Sequence, residues 1–129
     1  MCCSAVLVVD LPGGGRPEAL AAEIVEAGGT AAGLGIDLSK PAAPQAMVAK
    51  AVELYGRLDI VVNNAMWMGN GGPPGGIAGN AVELEEESWD YAFAVGIKSQ
   101  FLATKHAVPE MLKNSGSSKG TIVKTMNFF

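Results

Sequence analysis

Two hydrophobic rhythms alternate along this chain. Ala5 to Val9 (AVLVV) is an unbroken, β-branched apolar run, the pattern of a strand buried on both faces. Pro17 suits the first turn of a helix, and Leu20, Ile24 and Ala27 then recur at helical spacing until Gly28 and Gly29 stop it. Residues 30–38 (TAAGLGIDL) predict a second strand, diluted by Gly33 and Gly35. Ser39 reads as the N-cap of the next helix, with Pro41 close behind and Met47, Val48, Ala51, Leu54 and Tyr55 on one face up to Gly56. LDIVVNN, 58–64, is the clearest strand, and 66–79, with six glycines and two prolines, must be a loop. From Glu85 to about Leu112 the helical period returns. Trp89, Phe93, Ile97, Phe101, Val108 and Leu112 form a long stripe, and Pro109 is expected to distort the last turn. SGSSKG, 115–120, predicts a turn, and TIVKT one more strand.

Strand, helix, strand, helix, strand, long helix, strand implies parallel βαβ units in an open α/β sheet, one domain over 1–129. Hydrophobic residues are 49% and charged residues 17% of the 129, which supplies a core and excludes a disordered composition. The net charge of −4, with no basic block, argues against nucleic acid as a partner. The acidic run ELEEES, 83–88, suits a solvated helix start. No apolar run near the N-terminus is long enough to span a bilayer or serve as a secretory leader. The adjacent Cys2 and Cys3 cannot build an ordinary disulfide framework, so the expected location is cytoplasmic. His106, the only histidine, has no companions at metal-ligand spacing, and no metal site is expected.

In an open α/β sheet, ligands collect beyond the C-terminal ends of the strands. Here those ends carry Asp10, then Asp37 and Leu38, then Asn63, Asn64 and Ala65. A carboxylate at Asp10 can accept hydrogen bonds from a ribose 2′-hydroxyl and would repel a 2′-phosphate. An acid there also suits a simple turn start.

Taken together, VVDL at 8–11, DL at 37–38, GRLDIVVNNA at 56–65, WDYAFAVGIKSQFLATKHAVPEM at 89–111 and GTIV at 120–123 resemble the short-chain dehydrogenase/reductase family, in the right order and spacing. The resemblance implies a partial Rossmann-like, doubly wound parallel sheet, and hydride transfer between NAD(P) and an alcohol or carbonyl substrate. It assigns Asp10 to the adenosine ribose, with Leu11 beside it among the cofactor-binding residues, Asp37 and Leu38 to the adenine, and Asn63, Asn64 and Ala65 to a motif that stabilises the central strand and lies against the cofactor. NAD is expected over NADP, from Asp10. The helix around Trp89–Leu112 resembles the one through which family members commonly pair into homo-oligomers.

The departures from that pattern are as informative. The family's phosphate-binding glycines precede the acid, whereas Gly13, Gly14 and Gly15 follow Asp10 and lack the family spacing. This places the first strand and phosphate loop, and likewise the C-terminal half, outside the sequence, as expected of a fragment. Gly96 stands where the family has an asparagine, Asn127 where it has the catalytic serine, and Met66 where it has the glycine after N-N-A. The proton-donating pair is a tyrosine with a lysine four residues on. Here Tyr55 and Tyr91 are followed at that distance by Asp59 and Val95, so no catalytic residue is assigned and cofactor binding by this chain is doubtful.

The family's first strand lies between the strands matching 5–9 and 58–63. Its missing burial is comparable with the whole stability of a domain. Strand 5–9 is therefore expected either to leave a gap or to slide next to strand 58–63. Beside the dehydrogenase reading stand a non-catalytic dimerisation or interaction module and a truncated, non-functional product.

Overall fold

A computed structural model describes residues 4–69, 72–73 and 80–125. The elements run β1 (Ala5–Asp10), α1 (Arg16–Glu26), β2 (Thr30–Gly35), α2 (Ala43–Tyr55), β3 (Ile60–Asn63), α3 (Glu86–Phe93), a π-helical turn (Ala94–Lys98), α4 (Ser99–Met111) and β4 (Thr121–Lys124). The α/β alternation stands as expected.

Two parallel ladders carry the sheet. β1 pairs with β2 from Ala5 opposite Thr30 to Asp10 opposite Gly35, and β3 pairs with β4 from Ile60 opposite Thr121 to Asn63 opposite Lys124. No ladder joins β1 to β3 among the described residues, so the two pairs are separate sheets. A cleft of about 1360 Å³ lies between them, lined by Ala5, Val6, Leu7 and Val9 on one side and Ile60, Val61 and Val62 on the other. The order is β2-β1-cleft-β3-β4. Of the two expected outcomes, the gap is the one realised, and β1 has not slid onto β3.

Helices hold the halves together across this gap. α2 packs on α4, and Val48, Ala51, Leu58, Val61, Ala107 and Met111 make the core, with Leu7 and Ile122 against it. The Tyr55 hydroxyl donates to the Val6 carbonyl at 2.9 Å, tethering the end of α2 to β1. Asn114, buried after α4, donates at 2.8 Å to the carbonyls of both Leu58 and Lys119 and so fixes the turn that leads into β4.

Several local expectations are corrected. Ser39 does not cap α2. Successive turns delay the helix to Ala43, three residues later than a cap at Ser39 needs, with Pro44 buried in its first turn, and the Ser39 N–H donates to Asp37 at 2.9 Å. Gly56, at φ 74, ends α2 as the sequence implies. The irregularity in the long helix lies at the Ala94–Lys98 π turn around Gly96, whereas α4 carries through Pro109 to Met111. The second strand is short because the chain leaves the sheet at Gly35. Gly33 is no mere dilution: a Cβ there would lie 2.5 Å from the Glu18 nitrogen, so only glycine lets α1 press against β2.

The stripe from Trp89 to Leu112 faces outward. Trp89, Phe101 and Leu112 are 51%, 61% and 61% exposed, while the smaller Ser99, Ala103 and Ala107 form the inward face. Small inward residues allow the close approach of α4 to α2.

Candidate functional site

The C-terminal ends of the strands form one rim at the end of the cleft. Asp10, Leu11, Leu38, Asn63, Asn64 and Ala65 all line it, as six of the seven residues singled out from the sequence. Asp37 stands just behind.

Asp10 ends β1, where its main chain still serves the ladder through the Ile36 N–H at 2.8 Å. Its carboxylate accepts from the Leu11 N–H at 2.8 Å and lies 3.0 Å from the Arg16 guanidinium. Both side chains are open to solvent. The sequence reading missed Arg16. A basic residue six positions after the acid, beyond a glycine turn, was the available signal.

Asp37 sits in a denser setting. Its carboxylate accepts from the Ser39 N–H at 2.9 Å and from the Tyr91 hydroxyl at 3.2 Å, and Lys40 lies 3.7 Å away. Burial pushes the Asp37 carboxyl up, but the hydrogen bonds from Ser39 and Tyr91 and the Lys40 charge outweigh it and hold the group below its ordinary value. Burial, with the Asp37 charge beside it, pushes the Tyr91 phenol up. Tyr91 in turn meets the buried Trp67 edge-on, ring centres 5.1 Å apart. Residues 37, 67 and 91 thus join three separate segments, which no sequence spacing signals.

On the far side, the Asn63 carbonyl accepts the Thr125 N–H at 3.0 Å, and the Thr125 hydroxyl donates to the Asn64 side chain at 2.9 Å. The Asn63 side chain is buried, yet its amide nitrogen has no hydrogen-bond partner among the described residues. Asn127, expected at the serine position, lies outside the described residues, as do Cys2 and Cys3.

The groups present fit one part of a dinucleotide. Carboxylates at Asp10 and Asp37 and the apolar Leu38 suit an adenosine. Gly13, Gly14 and Gly15 open α1 beyond Asp10, and none of them lines the cleft. The described residues hold no group of three or more His, Cys, Asp or Glu side chains placed to bind a metal ion.

Comparison with known proteins identifies the family. The family model described as short chain dehydrogenase matches residues 5–127. An uncharacterized oxidoreductase of Thermotoga maritima is 43% identical over 91 residues, covering 69% of this chain and 32% of that protein. A metagenomic short-chain oxidoreductase solved in complex with NADP superposes with a TM-score of 0.67 at 29% identity, over 85% of this chain and 46% of that one. The NADH-dependent reductase A1-R', solved with NAD, gives 0.69 at 25% identity, over 84% and 42%. The chain spans about a third or less of the length of the curated relatives it matches.

Proposed function

This chain belongs to the short-chain dehydrogenase family, and from that membership we propose that it forms the adenosine-facing half of an NAD(P)-dependent oxidoreductase site. The reaction is hydride transfer between the nicotinamide and an alcohol or carbonyl substrate, the cofactor supplying the redox chemistry. The observation that carries this reading is the convergence of Asp10, Leu38, Asn63, Asn64 and Ala65 on one rim, with Asp37 fixed behind it by Tyr91. Asp10 favours NAD, because a 2′-phosphate beside its carboxylate is repelled, while Arg16 moderates the preference.

These 129 residues do not perform the proton transfer themselves. Tyr91 is the wrong tyrosine for that role: a proton donor needs a lowered pKa, whereas burial and Asp37 raise this one. In this reading the chain contributes the adenosine end of the site, and the proton donor lies elsewhere.

The test is a pair of measurements on the purified chain. Amide resonances of Asp10, Leu11 and Leu38 shift when NAD or ADP-ribose is added, while nicotinamide absorbance stays flat across a panel of alcohols and ketones. Absence of any shift defeats the adenosine assignment, and turnover defeats the division of labour.

A second role rests on the outward stripe of α3 and α4. Trp89 stacks on Phe93 at 4.5 Å with its ring half in solvent, and the exposed apolar positions continue to Leu112. A stripe of that length marks an interaction face. We assign it to pairing with a second copy of the chain.

A further inference from the structure

We propose that Tyr91 is a positioning residue of the adenosine site: from α3 it turns the Asp37 carboxylate so that Oδ2 is presented to the exocyclic amine of an adenine. This deepens the adenosine reading and rests on it. The two oxygens of Asp37 are used unequally. Oδ1 accepts both the Ser39 N–H at 2.9 Å and the Tyr91 hydroxyl at 3.2 Å. Oδ2 accepts no hydrogen bond among the described residues, and its ion-pair partner Lys40 stands 3.7 Å away on a side chain 72% exposed. An ionised carboxylate only accepts, and each oxygen can take more than one donor, so Oδ2 has room for a donor from a ligand. The Asp37 side chain is 24% exposed and therefore reachable.

The two donors on Oδ1 do different things. The Ser39 N–H belongs to the same loop, two residues on, so that bond shapes the turn and travels with it. Tyr91 is 54 residues away in sequence, and among the described residues it brings the one hydrogen bond that reaches the carboxylate from another element. Its own ring is braced. It meets Trp67, itself buried, edge-on with ring centres 5.1 Å apart. Gly72 in turn packs so tightly on that indole that a Cβ there would come within 2.7 Å of it. Packing that locks the rotamer of a supporting residue is what holds the supported group in place. Leu38, the next residue along, lines the cleft and offers an apolar surface for the purine ring. A base with an amine at this edge is accepted, whereas a carbonyl oxygen at the same place meets a second acceptor and is turned away.

The test titrates NAD and nicotinamide hypoxanthine dinucleotide, which carries a carbonyl oxygen in place of the adenine amine, into the intact chain and into Tyr91→Phe. Binding is read from the Leu38 amide resonance. The parent is expected to prefer NAD by about tenfold. Tyr91→Phe keeps the ring against Trp67 and removes only the hydroxyl, and it is expected to reduce that preference to about threefold or less. The loss falls on NAD, while the affinity for the hypoxanthine form holds. A purely structural role for Tyr91 weakens both nucleotides alike, and that result overturns the proposal, as does an undiminished preference in the variant. A parent chain that binds neither nucleotide, or both equally, overturns the adenosine reading itself and this proposal with it.

Discussion

The Arg16 guanidinium stands 3.0 Å from the Asp10 carboxylate, across the glycine turn that joins β1 to α1. An acid that would select against a 2′-phosphate is thus paired with a base that would attract one. The discrimination between NAD and NADP depends on the balance. Arg16→Ala is expected to sharpen the preference for NAD by about tenfold, and Asp10→Ala to reverse it, because Arg16 then meets the 2′-phosphate without opposition. The double variant should show little preference. Competition between the two nucleotides, followed by chemical-shift changes at Leu11, measures all three. Because both side chains are exposed, thermal stability should change by less than about 1 kcal/mol.

The Asp37–Tyr91 bond predicts a pH dependence with two limbs. Asp37 is held below its ordinary 3.8, so its contribution is complete above that value and is lost as pH falls through the folded-state value. Tyr91 is held above its ordinary 10.0, so the fold gains from keeping the phenol neutral and loses that gain as pH rises beyond 10.0. Tyr91→Phe should remove the alkaline limb, move the acid limb toward the ordinary carboxylate range and cost about 0.5–1.5 kcal/mol at neutral pH. Urea denaturation across pH on both proteins reads each limb separately.

Gly33→Ala should be among the most damaging single-carbon changes. The new methyl would lie 2.5–2.6 Å from main-chain atoms of Pro17 and Glu18, which cannot turn aside as a side chain can. Displacing the start of α1 from β2 is expected to cost about 1–3 kcal/mol. The midpoint of chemical denaturation tests this, and a loss under about 0.5 kcal/mol would show that α1 moves off β2 without penalty.

The outward stripe predicts self-association. Phe101→Glu, at a position 61% exposed, should weaken dimerisation while leaving unfolding within about 0.5 kcal/mol of the parent. Sedimentation over a range of concentrations distinguishes the two proteins. A parent chain that stays monomeric throughout defeats the pairing assignment.

The element order was legible because it depends on local pattern. β1 and the core face of α2 announce themselves through apolar periodicity, and Gly56 stops α2 where a left-handed residue is needed. Ser39 misled for an equally local reason. It is a good cap type, but successive turns after Asp37 delay the helix to Ala43, which leaves the Ser39 hydroxyl too far upstream to meet the first helical N–H groups. The rim was partly legible, since strand ends in an α/β sheet collect ligands and Asp10, Leu38 and Asn63–Ala65 are strand-end residues. Tyr91 was not, because its value lies in what it touches, and Arg16 was signalled only by its place beyond the glycine turn after Asp10.

The sequence by itself determined the α/β class, the family and the identity of the strand-end groups, since each is written in short-range spacing and composition. Only the tertiary structure decided the rest. Whether β1 would close onto β3 or stand apart depends on long-range packing. The α2–α4 core and the Tyr55–Val6 bond hold the halves in place with an open cleft. The same packing sets α4's small residues inward and turns Trp89, Phe101 and Leu112 to solvent. Periodicity says that a helix has an apolar face, but which face is buried depends on how closely its neighbour approaches.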